Sequence, residues 1–347
     1  MLRNEAGHAP AHGILPATRS KPGLSVSFHN FHRIFDSANS FFVKALSQRF
    51  DVRIDKAGRD LQISSVYGLS PLPQIPGVRP LRVWWTAEAQ DPRGTIFDLH
   101  FGFQPSSILG PRWQRYPLWI TFIEWWDQTS PHSVTRMLGP RMLTPRPHFC
   151  SFIYSNNPSI RTEFFHRLNE SRPVESLGRY LNNRGKRLEG RRDLTNALAR
   201  SRFNIAFENQ ISPGYVTEKL VDPLMAGAIP IYWGAREALT DFNPSAFIYA
   251  ADFPSLDDLV RHVLKVADSK DAVTELATAP AFRDNRIPYE LTPDCFVDSV
   301  EEALSHDLNA AVPERWNLAA FVSARHPGRT RPWRTIKRRV KRLLSPV

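Results

Sequence analysis

Between Phe207 and Gly234 the chain reads FENQISPGYVTEKLVDPLMAGAIPIYWG, and that order of residue types leaves few folds open. Ile205 to Phe207 is a short apolar strand that breaks at a polar turn containing Ser212, Pro213 and Gly214. A helical stretch from about Val216 to Met225 follows, Gly227 ends it, and Ala228 to Trp233 is apolar enough for a buried parallel strand. Pro223 lies inside the helical stretch, removes a backbone hydrogen bond and is expected to kink it. Tyr215, Thr217, Glu218 and Lys219 then gather at a helix N-terminus beyond the end of a strand. Backbone donors and the helix dipole favour an anion there, so a phosphate-bearing ligand is expected.

The same alternation runs through the rest of the chain. Leu24 to Phe28, Val52 to Ile54, Leu61 to Val66, Arg82 to Trp85 and Phe97 to Phe103 are apolar runs separated by helical or looped stretches in the first half. Phe149 to Tyr154, Phe203 to Phe207, Ala228 to Trp233 and Phe247 to Tyr249 repeat the pattern in the second. A chain of 347 residues, 42% of them hydrophobic, is long enough to bury two cores. Two α/β units with parallel sheets are expected.

Four further segments join the central run in resembling one family. Phe-Glu-Asn, the six-residue step from Asn209 to Tyr215, Tyr-Val-Thr-Glu-Lys and Ala-Gly-Ala-Ile-Pro-Ile-Tyr-Trp-Gly resemble the donor-binding signature of the α-1,3-fucosyltransferases, glycosyltransferase family 10. Asp241 to Phe253 (DFNPSAFIYAADF) and Phe149 to Leu168 (FCSFIYSNNPSIRTEFFHRL) resemble that family's donor domain. Arg82 to Gln104 (RVWWTAEAQDPRGTIFDLHFGFQ) resembles the segment carrying its catalytic acid, and Asn39 to Phe50 its first N-terminal helix. The likeness is collinear from about Leu24 to about Asp298. It implies an α/β GT-B fold, two Rossmann-like parallel-sheet domains facing a cleft. The expected division is a leader over 1–23, an acceptor-binding domain over 24–146, a GDP-fucose-binding domain over 147–312 and a basic amphipathic tail over 313–347.

The resemblance also implies a chemistry. Transfer from GDP-fucose needs one base for the acceptor hydroxyl and positive charge for the departing diphosphate. No Asp-x-Asp occurs in the chain. The charge is then expected from side chains, and the resemblance implies Arg161 and Lys219 at the diphosphate, with the helix N-terminus beside Thr217 adding backbone donors; no divalent metal or other cofactor is expected to be required. Ser155 and Asn156 are implied in the turn after a donor-domain strand. Asn209, Tyr215 and Glu218 are implied to line the nucleotide and fucose pocket. Glu88, after Trp84, Trp85 and Thr86, is implied as the general base; where relatives often have a second acid this chain has Gln90, and Asp91 is the fallback. One base and no nucleophile point to a single displacement with inversion. The implied acceptor is an oligosaccharide or glycolipid with an N-acetyllactosamine-type unit. Loops such as 29–37 and 104–116, with Phe31, Phe35, Trp113 and Trp125, are candidates to hold it. Transfer to the 3-hydroxyl alone or to the 3- and 4-hydroxyls, or another acceptor on the same fold, stays open.

The net charge of +11 is uneven: residues 325–347 carry nine basic side chains and no acid, which leaves +2 for the body. Trp333, Ile336, Val340, Leu343 and Leu344 fall on one stripe of a helix whose other face holds Lys337, Arg338 and Lys341. Such a segment suits an anionic membrane surface. A membrane- or nucleic-acid-binding protein acting through this tail, without any enzymatic role, is the alternative; the apolar stripe and the nearly neutral body argue against nucleic acid. No run has the length and apolarity of a signal peptide or membrane span, so a cytoplasmic protein held peripherally at the inner membrane face is expected. Cys150 and Cys295 are too few for a disulfide framework and are expected to be buried thiols.

Overall fold

Six short runs in the first part of the chain line up edge to edge as parallel strands. They are β1 (Gly23–His29), β2 (Asp51–Ile54), β3 (Leu61–Ser64), β4 (Leu81–Trp85), β5 (Leu99–Gly102) and β6 (Trp113–Arg115), in the order β2-β1-β3-β4-β5-β6. Five more form a second parallel sheet: β7 (His148–Phe152), β8 (Val174–Ser176), β9 (Ser201–Phe207), β10 (Ile229–Trp233) and β11 (Ile248–Tyr249), in the order β11-β10-β9-β7-β8. The computed structural model describes residues 20–306, apart from 87, 89–96, 106–112, 140, 142, 156–158 and 186. The leader to residue 19 and the basic tail lie outside the described residues.

Strand order reverses once in each sheet, between β1 and β3 in the first and between β7 and β9 in the second. In open parallel sheets a ligand binds beyond the carboxyl ends of the strands at such a reversal. The two reversals therefore mark two candidate half-sites before any side chain is considered. β10 carries Pro230 in the interior of its sheet, where a missing N–H normally breaks a ladder. It is accommodated because β11 pairs only from Ile231 onward, with Ile231 opposite Ile248.

The helices are α1 (Phe41–Leu46), α2 (Ser159–Ser171), α3 (Gly190–Arg200), α4 (Glu218–Ala226), α5 (Ala238–Asp241), α6 (Leu256–Asp268), α7 (Lys270–Thr278) and α8 (Pro293–Leu304). The helix expected from Val216 starts at Glu218, because Thr217 turns its hydroxyl to accept the amide of Lys219 and so becomes the N-cap. It continues through Pro223 for three residues, so the proline does not end it. Gly227, at φ +76°, stops it in the left-handed conformation that a side chain disfavours, its N–H donating to Leu224 O. α4 packs on β9 and β10, and its apolar face also meets the turns 118–121 and 134–137 of the first half.

α8 lies within 147–312 in sequence but packs on the first sheet. Phe296 contacts Phe41, Phe42, Phe101 and Tyr116, and Val297 and Val300 are buried beside it. Fully burying apolar side chains of this size is worth about 1.5–3 kcal/mol each, whereas the half-exposed Arg49–Glu301 pair adds about 0–1 kcal/mol. Apolar contact thus holds the chain's return to the first sheet. The connection between the sheets is pinned by two arginines that cap helix ends. Arg141 donates to the carbonyls of Ala228, Ala246, Leu276 and Ala279, and Arg146 to those of Leu198, Ala199, Ser201 and Ala226. Cys150 and Cys295 are buried thiols.

Candidate active site

The carboxyl end of β9 delivers Phe207, Glu208 and Asn209 to the reversal point of the second sheet. Arg161, on the first turn of α2, reaches this point from the β7 side. Its guanidinium lies over the ring of Tyr154 at 3.8 Å, and Nη2 donates to Phe207 O at 2.8 Å and Asn209 Oδ1 at 3.0 Å. Tyr154 is itself fixed, its hydroxyl accepting from Phe207 N and donating to Ile205 O. Arg161 is 1% exposed; burial lowers its pKa from the ordinary arginine value, opposed by Tyr154 and Glu208. Its Nε is buried with no acceptor among the described residues. An oriented cation whose Nε lacks an acceptor suits a phosphate oxygen.

Lys219 reaches the same strand end from α4. Its Nζ lies 3.2 Å from Thr217 Oγ1, 3.1 Å from Glu218 Oε1 and 3.5 Å from Glu208 Oε2. Burial works against the ammonium charge, but Glu218 and Glu208 outweigh it and raise the pKa above the usual lysine value. Glu208 is completely buried. Burial and the nearby Glu218 raise its pKa, while Lys219 and the donors of Thr217 oppose the rise. The Thr217 N–H donates to Glu208 Oε1 at 2.8 Å and its hydroxyl lies 2.8 Å from Oε2. The sequence places Thr217 among the donor-binding residues, beside a helix N-terminus that offers backbone donors. The Thr217 amide and hydroxyl are instead turned inward to Glu208, so it sets the start of α4 and the reach of Lys219.

Glu208→Ala would leave both Thr217 donors buried without an acceptor, at roughly 1–3 kcal/mol each. The variant is expected to lose about 3 kcal/mol of stability or more in urea denaturation. A loss below about 1 kcal/mol would mean that Thr217 finds another acceptor.

The first sheet contributes at its own reversal point. Tyr67, just after β3, is tied to the end of β1 by its N–H to Asn30 O, and its hydroxyl donates to Glu88 Oε1 at 3.0 Å. Thr86, at the end of β4, braces the Glu88 backbone from both sides: Oγ1 accepts the Glu88 N–H at 2.9 Å and donates to Glu88 O at 3.0 Å. Burial, then the bond to Glu88, pushes the Tyr67 phenol up to about 12, so it stays a donor. Tyr215 is buried on the opposite side, its ring meeting Phe103 edge-on at 5.0 Å. Burial pushes its phenol up to about 12, with Glu208 and Glu88 contributing against Lys219. Tyr215 therefore lies within electrostatic reach of Glu88 as well as of the two strand-end charges.

Of the residues singled out in the sequence, the structure gathers Arg161, Asn209, Tyr215, Thr217, Glu218 and Lys219 around the end of β9, and Glu88, after β4 of the first sheet, acts on Tyr215 of this group. Ser155 is exposed in the turn after β7, and Asn156, Gln90, Asp91 and the tail from Trp333 to Leu344 lie outside the described residues. Trp113 is 1% exposed and stacks with His100, so it belongs to the core and offers no ring to a sugar. Phe31 and Phe35 stack on each other against the core, and Trp125 donates its indole N–H to Ile120 O. Glu208 and Tyr67 were not anticipated. Glu208 stands in the Phe-Glu-Asn run and could have been found there; Tyr67 carries no local signal. Among the described residues, no three His, Cys, Asp or Glu side chains gather as metal ligands would.

Solved glycosyltransferase structures share this fold. An α1,3-fucosyltransferase solved with GDP-fucose superposes with a TM-score of 0.65 at 23% identity, covering 86% of this chain and 95% of that one. Anabaena HepE in complex with UDP-glucose gives a TM-score of 0.50 at 9% identity, over 81% of this chain and 99% of that one. The fold is thus the two-sheet GT-B architecture of glycosyltransferases. The model for the alpha-(1,3)-fucosyltransferase FucT N-terminal domain matches residues 26–122, and the model for the glycosyltransferase family 10 (fucosyltransferase) C-terminal region matches residues 145–276. Together they cover more than half of the chain, which belongs to glycosyltransferase family 10. It is 27% identical over 295 residues to alpha-(1,3)-fucosyltransferase FucT of Helicobacter pylori, spanning 75% of this chain and 60% of that protein's length. It is 33% identical over 123 residues to alpha-(1,3)-fucosyltransferase B of Drosophila melanogaster, 32% of this chain and 28% of that one.

Proposed function

We propose that this protein is an inverting α-1,3-fucosyltransferase that moves L-fucose from GDP-β-L-fucose to a GlcNAc hydroxyl of an N-acetyllactosamine-type surface glycan. The observation that carries the reading is the convergence of Arg161 and Lys219 on the end of β9, beside a Tyr215 that also feels the Glu88 carboxylate of the first sheet. In the reaction the acceptor oxygen forms a bond to fucose C1 as the bond from C1 to the β-phosphate oxygen breaks. GDP leaves with the electron pair, and the acceptor proton passes to the Glu88 carboxylate. Arg161 and Lys219 supply the positive charge that meets the growing charge on GDP, without a divalent metal. Glu218 and Asn209 accept hydrogen bonds from hydroxyl or amide groups of the nucleotide sugar. The Tyr67 hydroxyl orients Glu88 by one oxygen and leaves the other for the acceptor.

Inversion is tested by proton NMR of the product: an α-linked fucosyl residue formed first from the β-linked donor supports single displacement, and a β-linked product rejects it.

The same reading places the enzyme in the cytoplasm, held at the inner membrane face by the cationic tail and acting on a lipopolysaccharide or other surface glycan. No described helix is long and apolar enough to cross a membrane. Each basic residue near an anionic surface is worth about 1 kcal/mol, so nine of them give strong attachment. Deleting residues 325–347 is expected to abolish sedimentation with phosphatidylserine-containing vesicles while changing turnover of soluble substrates less than about two-fold. Unchanged vesicle binding would reject the tail assignment.

A further inference from the structure

The loop that carries Tyr215 into the donor site is anchored on the other sheet. Arg115, the last residue of β6, makes a two-pronged ion pair with Asp241 at the end of α5, Nη1 to Oδ1 at 2.9 Å and Nη2 to Oδ2 at 2.6 Å. Both side chains are largely buried, at 14% and 7% exposure. The same Nη2 also donates to Gly214 O at 3.0 Å. Gly214, at φ +78°, comes so close to the first sheet that a Cβ would lie 1.9 Å from Phe103 O and 2.9 Å from Arg115 Nε. The next residue, Tyr215, meets the Phe103 ring edge-on. One guanidinium thus ties the first sheet to both α5 and the donor loop.

We infer that Arg115 is a positioning residue for the nucleotide sugar, holding the Gly214–Tyr215 corner so that Tyr215 faces the donor only when the two sheets are latched through Asp241. This rests on the donor site proposed above. An ion pair that served stability alone would need only Asp241. The bond to Gly214 O and an approach that only glycine permits add a demand that stability does not explain. A guanidinium fork can serve a carboxylate and a carbonyl together, whereas a lysine ammonium at the same place can keep the charge pair but not that planar geometry.

The test compares wild type, Arg115→Lys, Gly214→Ala and Asp241→Asn in the full chain, measuring Tm, the Kd for GDP, and KM and kcat for GDP-fucose. Asp241→Asn leaves a buried guanidinium without its counter-charge and is expected to lower Tm the most. Arg115→Lys and Gly214→Ala are expected to raise the GDP-fucose KM and the GDP Kd about ten-fold or more with smaller losses of Tm. That inversion of order between stability and donor binding is what a positioning role produces. Donor binding that follows Tm across the three variants, or that is unchanged in Arg115→Lys and Gly214→Ala, would reduce Arg115 to a structural pair. Should Asp241→Asn not fold, the other two variants decide alone. A wild type that binds no GDP would overturn the donor assignment itself.

Discussion

Glu88→Gln is expected to lower kcat by about 10²–10⁴-fold while leaving the GDP-fucose KM within about two-fold of wild type. Glutamine keeps the shape of the side chain and can still accept from Tyr67 through its amide oxygen, but it cannot take the proton of the acceptor hydroxyl. In the proposed reaction Glu88 meets the acceptor, whereas Arg161 and Lys219 meet the diphosphate, so donor binding has no reason to change. Tyr67→Phe separates orientation from chemistry: it removes the hydroxyl that holds one oxygen of Glu88 but leaves the base in place, and a smaller loss of kcat is expected. Steady-state kinetics with saturating donor checks both. Turnover of Glu88→Gln within ten-fold of wild type would assign the base elsewhere, with Asp91 the next residue to replace.

Lys219→Ala is expected to cost about 10²–10³-fold in kcat, the loss typical when one charge-stabilising donor is removed from a developing anion, and to weaken GDP binding as well. Arg161→Ala is expected to act in the same direction with a larger loss of stability, since Arg161 fills a buried place over Tyr154. The lysine change also carries a signature in pH. Glu208 has its pKa raised by burial, so the folded state holds that proton more tightly than the unfolded chain. Its contribution to stability is present below the unfolded carboxylate pKa and is lost as pH rises through the folded value. Lys219 is the cation that limits this loss. Without it the Glu208 pKa rises further, and Lys219→Ala is expected to lose more stability at neutral pH than near pH 4. Urea denaturation at the two pH values measures the difference; an equal loss at both would mean that Lys219 does not act on Glu208.

Long apolar runs made most of the strands legible, and the parallel βαβ reading of 205–233 fits the sheet order around β9 and β10. Two strands escaped because neither carries an apolar run, reading WQR and VES. Trp113–Arg115 and Val174–Ser176 show no period of their own and become strands only because β5 and β7 offer an open edge. Without an apolar run around it, Trp113 reads as a loop residue open to a sugar, whereas in the fold its ring is buried against His100 of β5. In the site, the residues within one motif are readable together: Tyr215 to Lys219 are consecutive residues leading into α4, and Arg161 follows a strand in a pattern that resembles its family. What connects distant parts of the chain was not. The Tyr67 bond to Glu88 joins residues 21 apart and the Arg115 pair with Asp241 joins residues 126 apart, and neither has a local pattern to betray it. Glu208 is the intermediate case: it was visible in the motif, but its task depends on being fully buried beneath Thr217 and Lys219, and burial is a property of the folded chain.

Donor specificity and transfer together test the central claim most directly. Purified protein is incubated with GDP-fucose and N-acetyllactosamine in the presence of EDTA, with GDP-mannose as control donor, and released GDP and fucosylated product are quantified. GDP release that depends on both fucose and acceptor, persists in EDTA and matches the α-fucosylated product one for one is the predicted result. GDP-fucose that is neither bound nor turned over with any glycan acceptor, or equal transfer from GDP-mannose, would contradict it.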